Sequence, residues 1–314
     1  MRSLMIAALV FFASPAAAAD EMTIAVFTKN STNPAYEAFR IASDQIARST
    51  GAKIVHFVPN RPDNVDEQKA MVEQVLKDKP DAVIFIPVDD VAMVDSVKKL
   101  NEAKIPVVLV SNPLPGSFVT YVGADDFEIG YREARYLFDK LGAKGKIVVI
   151  EGTPAAPTNR ERLRGYQRAF AEFPGIEVLG SAVGNYQQAD AKAAMEKLLA
   201  AHPQIDAVLS ANDSMALGVL EALKAANRSS IVIGINGILP AVKQIEAGTI
   251  LATVDFNMFK IGCTATRAAV RHLRKEPLPE KVMLPAEVID KTNYKAWLVP
   301  VDQRACPEWS DVVK

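Results

Sequence analysis

Short runs rich in β-branched residues alternate with segments of helical period along this chain of 314 residues. In the first half, such runs occupy residues 23–27, 53–58, 82–86 and 107–110. Between them, apolar residues recur every three or four positions, as at Ala35, Phe39, Ala42 and Ile46. Alternation of strand and helix predicts right-handed crossovers and a parallel sheet covered by helices on both faces. The nearly continuous apolar character of the runs fits strands that are buried on both sides.

The same alternation restarts in the second half, where strand-like runs occupy residues 146–150, 177–183, 205–210, 231–235 and 250–254. Segments of helical period lie before and among them, at 126–141, 163–170, 191–199 and 216–223. A second sheet of similar size is therefore expected, and the chain is longer than the roughly 100 to 200 residues of one domain. The sequence Pro-Leu-Pro-Gly at 113–116 separates the halves, and we expect the chain first to cross between them near residues 122–125.

The first residues have the pattern of an export signal. Arg2 precedes an apolar run at 4–12, and Pro15 leads into the alanines at 16–19. These features predict a secretory signal peptide that is cleaved near Ala18 or Ala19. No cysteine follows the alanines, and no later segment approaches about 18 consecutive apolar residues, so neither a lipid anchor nor a membrane-spanning helix is expected. The expected product is a soluble protein, most simply of a bacterial periplasm.

The composition argues against several classes of function. With 36 Lys and Arg residues against 37 Asp and Glu residues, no basic surface for nucleic acid is expected. The cysteines and histidines are too scattered for a local metal motif. The GxSxG, Walker A, GxGxxG and HExxH patterns are absent, so we expect no enzyme, cofactor, metal or catalytic residue. Asp213 and Asp255 could pair as acid and base, but ligand binding or capping is the favoured interpretation.

Polar and aromatic residues follow several predicted strands. The segment AVLSANDSMALG at 207–218 places Asn212 and Asp213 where a strand ends and a helix begins, the position at which open α/β sheets hold small ligands. Asp213 could instead only cap that helix. Similar residues follow other strands: Asn33, Tyr36, Asn112, Arg160, Tyr186, Asn236 and Phe256. Amides, aromatic rings and a guanidinium suit a neutral polyhydroxyl ligand, although each residue alone could equally be a cap or turn residue.

Four segments together resemble one protein family: NPAY at 33–36, NRERLRGY at 159–166, ANDSMALG at 211–218 and VIGINGILPAV at 232–242. In this combination the chain is similar to the type I periplasmic sugar-binding proteins of the ribose- and galactose-binding group, over residues 23–289. The resemblance implies an α/β fold of two Rossmann-like lobes with parallel sheets, which are joined by a three-crossover hinge and close over a monosaccharide. It also implies that the ligand is delivered to an ABC permease in the inner membrane.

The resemblance also implies how the chain is divided: a signal peptide at 1–19, an N-terminal lobe at 22–122 plus 257–285, a C-terminal lobe at 125–254 plus 287–300, and a C-terminal extension at 301–314. We expect a monomeric periplasmic solute-binding protein of an ABC importer that captures a neutral monosaccharide or polyol. The alternative is a periplasmic protein that presents a bound sugar-like signal to a chemoreceptor or sensor kinase.

By the same resemblance, ligand contacts are expected at Asn33, Tyr36, Arg160, Tyr186, Asn212 and Asn236, with Asn112 and Phe256 as further candidates. The chain also departs from the ribose-binding pattern. Ser111-Asn112 replaces an acidic–basic pair, Asn236 replaces an aspartate, and the Asp255-Phe256 region replaces a glutamine. Because these changes remove charge-assisted hydrogen bonds to particular hydroxyls, we expect another pentose, a hexose, a deoxysugar or a polyol rather than ribose.

The two cysteines, Cys263 and Cys306, are expected to form a disulfide, because the count is even and export would place them in an oxidising compartment. A buried, unbonded Cys263 in the helical segment 260–273 is the alternative. If bonded, the pair would tie the C-terminal extension beside that helix.

Overall fold

The computed structural model describes residues 22–313, so the predicted signal peptide and its cleavage site lie outside the described residues. The strands are β1 (Thr23–Phe27), β2 (Lys53–Phe57), β3 (Ala82–Phe85), β4 (Val107–Val110), β5 (Thr120–Gly123), β6 (Gly145–Glu151), β7 (Ile176–Val183), β8 (Ala207–Ser210), β9 (Ile231–Ile235), β10 (Ala252–Asp255), β11 (Lys281–Met283) and β12 (Glu287–Asp290).

The helices are α1 (Pro34–Thr50), α2 (Val65–Asp78), α3 (Val94–Glu102), α4 (Asp126–Lys140), α5 (Pro157–Glu172), α6 (Gln188–Ala201), α7 (Asp213–Ala225), α8 (Leu239–Ala247), α9 (Met258–Leu273) and α10 (Trp309–Val312). Two 3₁₀ helices, Tyr294–Leu298 and Val301–Gln303, precede α10. Within the described part of the chain, none of the helices combines the length and apolar character that crossing a membrane requires.

The strands form two six-stranded sheets. The first sheet has the order β11-β5-β4-β3-β1-β2, and each pair of adjacent strands in it is parallel. The second has the order β12-β10-β9-β8-β6-β7, and only the β10–β12 pair is antiparallel. We call the sheets with their helices the first and second lobes. The prediction of two α/β lobes with parallel sheets is confirmed.

The sheets supply the centre of each core. Every residue of β3, β4 and β8 is buried. The continuous apolar runs in the sequence predicted this burial, because it is typical of strands that are covered on both faces of a sheet. Helix α1 shows how a helix begins at the carboxyl end of its strand. Asn33 Oδ1 accepts a hydrogen bond of 3.0 Å from the Ala35 N–H, and Pro34 occupies the first turn. The helix therefore begins where β1 ends, with Phe39 turned into the core.

The described chain crosses between the sheets three times. It passes from β5 of the first sheet to α4, which packs on α5 in the second lobe, and it returns from β10 to α9, which packs on α1. The third crossing joins β11 to β12. These last two strands, KVM and EVID, are short and place charged residues beside the apolar ones, so they lack a continuous apolar run and the sequence did not predict them.

The segment that follows β12, residues 291–313, contacts both lobes. Lys291 Nζ donates a hydrogen bond of 3.3 Å to the Ile245 carbonyl in α8 of the second lobe. Farther along, Cys306 forms a disulfide with Cys263 of α9 in the first lobe. The predicted disulfide is therefore confirmed. It ties the extension to a different lobe from the one that the chain leaves after β12.

We expect loss of the Cys263–Cys306 bridge to lower the free energy of unfolding by about 4 kcal/mol, because the bridged residues are 43 apart in sequence and the bridge restricts the unfolded chain. Chemical denaturation of oxidised and reduced protein measures the loss. The double variant Cys263→Ser, Cys306→Ser is the control, since a reductant should not change its stability. Two free thiols per chain in denatured, unreduced protein from an oxidising preparation would contradict the bridge.

Candidate ligand-binding cleft

A cleft lies between the lobes, where the carboxyl ends of strands from both sheets meet. The space within it, including its opening to solvent, is about 550 Å³. The residues that line it are Asn30, Asn33, Ala35, Tyr36, Asp63, Ser111, Asn112, Ala124, Asp126, Thr158, Arg162, Tyr186, Asn212, Asn236, Phe256 and Met258. All of the candidate residues predicted from the sequence are among them except Arg160. That they contact a ligand stays a prediction.

Arg160 lies outside the cleft and Arg162 lines it. Both belong to α5, and residues two apart on a helix of about 3.6 residues per turn point in nearly opposite directions. Arg160 donates to the Ala155 carbonyl at 2.8 Å and forms an ion pair with Asp90 of the first lobe. We therefore replace Arg160 by Arg162 as the candidate guanidinium. The sequence alone did not separate the two arginines, because both stand in the segment NRERLRGY at 159–166.

The Arg162 side chain is only 5% exposed and remains charged. Its Nε donates to Asp126 Oδ1 at 2.9 Å, and its Nη1 donates to the Ala211 carbonyl at 2.7 Å. Burial is the largest influence on the pKa of Arg162 and lowers it, but the combined effect of Asp126, Tyr186 and Tyr166 outweighs burial, so the pKa is raised. Burial raises the pKa of Asp126 as well, and Arg162 opposes that rise. The Phe256 ring lies over the guanidinium, with 5.3 Å between the guanidinium carbon and the ring centroid.

Tyr186 stands in the second lobe with a left-handed backbone, at φ 59°. Its hydroxyl lies 3.1 Å from Thr158 Oγ1. Its ring lies against Gly152, where a Cβ atom would come within 2.1 Å of the ring, so a larger residue at that position would displace the ring. These contacts hold the ring at the wall of the cleft.

Asn212, rather than Asp213, caps helix α7. Asn212 Oδ1 accepts from the Met215 N–H at 2.8 Å, and its Nδ2 donates to the Tyr186 carbonyl at 3.2 Å. Asp213 is buried and accepts from Thr253 Oγ1 at 2.7 Å and from the Ile238 N–H at 3.0 Å. The interpretation of Asp213 as a cap is therefore wrong, because its carboxylate instead connects neighbouring strand ends behind the cleft.

The two aspartates that could have formed an acid–base pair have separate structural partners. Burial raises the pKa of Asp213 to about 7 and that of Asp255 to about 6. Asp255 accepts from Trp297 Nε1 at 2.7 Å and from the Asn257 N–H at 2.6 Å. The bond from Trp297 connects the second crossing to the segment that follows β12.

In the second lobe, Asn236 has an unused polar atom at the cleft. Its backbone is at φ 128°, and its buried Oδ1 accepts no hydrogen bond within the described chain. In the first lobe, burial and then the charge of Asp63 raise the pKa of Tyr36, so its phenol stays protonated. In the same lobe, Asn112 is fixed by donation from its Nδ2 to the Pro87 carbonyl at 2.7 Å.

Sequence reasoning missed two acidic residues of the cleft, Asp63 and Asp126. Asp126 begins α4, where an acidic residue is common for helix stability alone. Asp63 lies in the loop after β2, within a Pro-Asp-Asn sequence typical of a turn. The available signal for Asp63 was its place after a strand. Among residues 22–313, no group of three or more His, Cys, Asp or Glu side chains is suited to hold a metal.

Two lobes with parallel sheets, three crossings and a polar cleft between them define a bilobal binding protein. Residues 24–277 match the family model described as periplasmic binding protein domain, and the chain belongs to this family. The type I arrangement implied by the sequence is confirmed by this match and by the solved structures that share the fold.

Among curated proteins, the chain is 28% identical to the ribose import binding protein of Bacillus subtilis (strain 168), over 85% of this chain and 87% of that protein. It is 29% identical to the xylitol-binding protein of Mycolicibacterium smegmatis, over 67% of this chain and 60% of that protein. Among solved structures, it is similar to a periplasmic solute-binding protein from Actinobacillus succinogenes with bound D-allose. That likeness has a TM-score of 0.83 and 28% identity, and it covers 88% of this chain and 100% of the other.

Proposed function

We propose that this protein is an extracytoplasmic solute-binding protein of an ABC importer, and that it captures a neutral monosaccharide or polyol by closure of its two lobes. The charge balance of the cleft carries the proposal. Lys29 pairs with Asp63 on the first lobe at 3.1 Å, and Arg162 pairs with Asp126 on the second. Each charge already has a partner, so a charged ligand would leave an uncompensated charge in a buried site.

Relatives support this ligand class. They include proteins named for ribose import and for xylitol binding, and a solved structure holding D-allose. The rings of Tyr186 and Phe256 offer faces for C–H groups, while the Asn236 amide oxygen offers an acceptor for a hydroxyl. The importer role also implies an ABC permease as partner. The sensing alternative uses the same cleft, and no contact among residues 22–313 favours it over import.

The lobes contact each other across the cleft. Thr32 Oγ1 of the first lobe donates to Gln187 Oε1 of the second at 3.1 Å, and Arg160 of the second lobe pairs with Asp90 of the first. A ligand that enters the cleft must first separate these contacts. Ligand binding would then stabilise the arrangement in which they form, as in other hinge closures.

We expect a thermal-shift screen of sugars and polyols to identify a ligand that stabilises the mature protein, by about 2.7 kcal/mol at a hundredfold excess over Kd. Small-angle scattering with that ligand should give a smaller radius of gyration than without it. An unchanged profile at saturation would contradict closure. Recovery of a chemically altered ligand would contradict a role in binding alone.

We expect Arg162→Ala to weaken binding of that ligand by about 1.5 to 3 kcal/mol, because a charge-assisted hydrogen bond is lost. Arg160→Ala should cost at most about 1 kcal/mol, since it removes only a half-exposed ion pair between the lobes. Calorimetry compares the two variants, with Arg164→Ala as control, because Arg164 lies outside the lining of the cleft and pairs with Glu161 of its own helix. Arg162→Lys keeps a positive charge beside Asp126, so this variant tests whether that charge alone is enough for the protein to fold. Equal and negligible losses for Arg160→Ala and Arg162→Ala would contradict the assignment.

A further inference from the structure

The first lobe places a buried charge pair at the cleft. Lys29 follows β1 and is 2% exposed, although lysine is almost never buried without a partner. Its Nζ lies 3.1 Å from Asp63 Oδ1, and its carbonyl accepts the Asp63 N–H at 3.0 Å. Two separate strand ends, those of β1 and β2, are thereby joined at the wall of the cleft.

The backbone directs the Asp63 carboxylate into the cleft. Asp63 has φ 55°, the left-handed region that Asp and Asn tolerate better than other side chains. Its Oδ2 accepts a hydrogen bond of 3.4 Å from Asn30 Nδ2. Its side chain is 10% exposed, and it lines the cleft. Two hydrogen bonds therefore fix Asp63, one from its backbone N–H and one to its carboxylate Oδ2.

The other carboxylate oxygen of Asp63 is an unused acceptor. The approach of Lys29 Nζ to Oδ1 satisfies charge but lacks hydrogen-bond geometry, and Oδ1 receives no hydrogen bond from the described chain. An unpaired buried acceptor is costly unless something else donates to it. Because this oxygen lies at the wall of a cleft, a ligand hydroxyl is the donor that fits.

A second carboxylate faces the cleft from the other lobe. Asp126 Oδ1 accepts from Arg162 Nε, and the Asp126 side chain is 12% exposed. Asp63, Arg162 and Asp126 line the same cleft as Tyr36. Ionised carboxylates only accept hydrogen bonds. A ligand between them therefore needs a donor toward each lobe.

We propose that Asp63 is a specificity-determining ligand contact, which accepts a hydrogen bond from a ligand hydroxyl in the first lobe while Asp126 accepts one in the second. This inference rests on the proposed function and narrows its ligand class. The ligand is a neutral polyhydroxyl compound with hydroxyl donors on opposite sides. A ligand without the hydroxyl that faces Asp63 leaves the buried acceptor unpaired, and an acidic sugar there meets a like charge.

The test uses the neutral compound found by thermal-shift screening, together with its monodeoxy derivatives, in calorimetry on the full mature protein. Asp63→Asn keeps the size of the side chain and suits the left-handed backbone. Asp66→Asn is the matched control, because Asp66 is exposed three residues away in α2. Melting temperatures verify that both variants are folded. Should Asp63→Asn fail to fold, the deoxy series on the wild type still tests the contact.

We expect one deoxy derivative to bind wild type roughly tenfold or more weakly than the parent compound. Asp63→Asn should bind the parent roughly tenfold more weakly and should discriminate little against that same derivative, since the two changes remove one shared contact. Asp66→Asn should behave as wild type.

Three results would overturn the inference. The first is Asp63→Asn binding the parent within about twofold of wild type. The second is undiminished discrimination by Asp63→Asn against every derivative. The third is a wild type that distinguishes no derivative from the parent. If wild type binds no neutral sugar or polyol at all, the proposed function fails together with this inference, whereas normal binding with an unaffected Asp63→Asn removes the inference alone.

Discussion

The buried positive charge of Arg162 is the constraint around which the cleft is arranged. A guanidinium with a side chain only 5% exposed must be matched by an opposite charge, and Asp126 supplies that charge at the start of α4. Because α4 follows the first crossing directly, the same ion pair connects the hinge region to α5. The first lobe repeats this arrangement with Lys29 and Asp63. Because each lobe pairs its own positive and negative charges at the cleft, hydrogen bonds and ring contacts, rather than net charge, select the ligand.

The segment that follows β12, residues 291–313, gives this pair of lobes a further connection. Trp297 donates to Asp255 at the second crossing, where the chain returns to the first lobe. Beyond Trp297, Gln45 of α1 donates to the Asp302 carbonyl at 3.2 Å, and the Cys306 disulfide follows. This segment therefore leaves the second lobe, passes the hinge and ends bound to the first lobe. Opening of the cleft must move this segment together with the three crossings.

Most of the fold could be predicted from the spacing of apolar residues. Strands that are buried on both faces appear as continuous apolar runs, and the helices that cover them are amphipathic. The edge strands β11 and β12 escaped this prediction, since they mix charged with apolar residues and form no continuous apolar run. At the site, strand ends located Tyr36 and Asn236 correctly at the cleft, but direction around a helix decided between Arg160 and Arg162. Asp63 escaped because its sequence resembles a turn, and only the folded backbone brings it beside Lys29. Local sequence carries no information about such pairing between separate strands.

Because the charges of the cleft are already balanced, the charge of the ligand gives the most direct test of the proposed function. The measurement is calorimetric titration of the mature protein with the neutral sugar or polyol that it binds, with the corresponding acid, and with the corresponding amine, at one pH and one ionic strength. We expect the neutral compound to bind at least roughly tenfold more tightly than either charged analogue, because each analogue leaves a buried charge uncompensated. Equal or tighter binding of the acid or of the amine would contradict the proposed function.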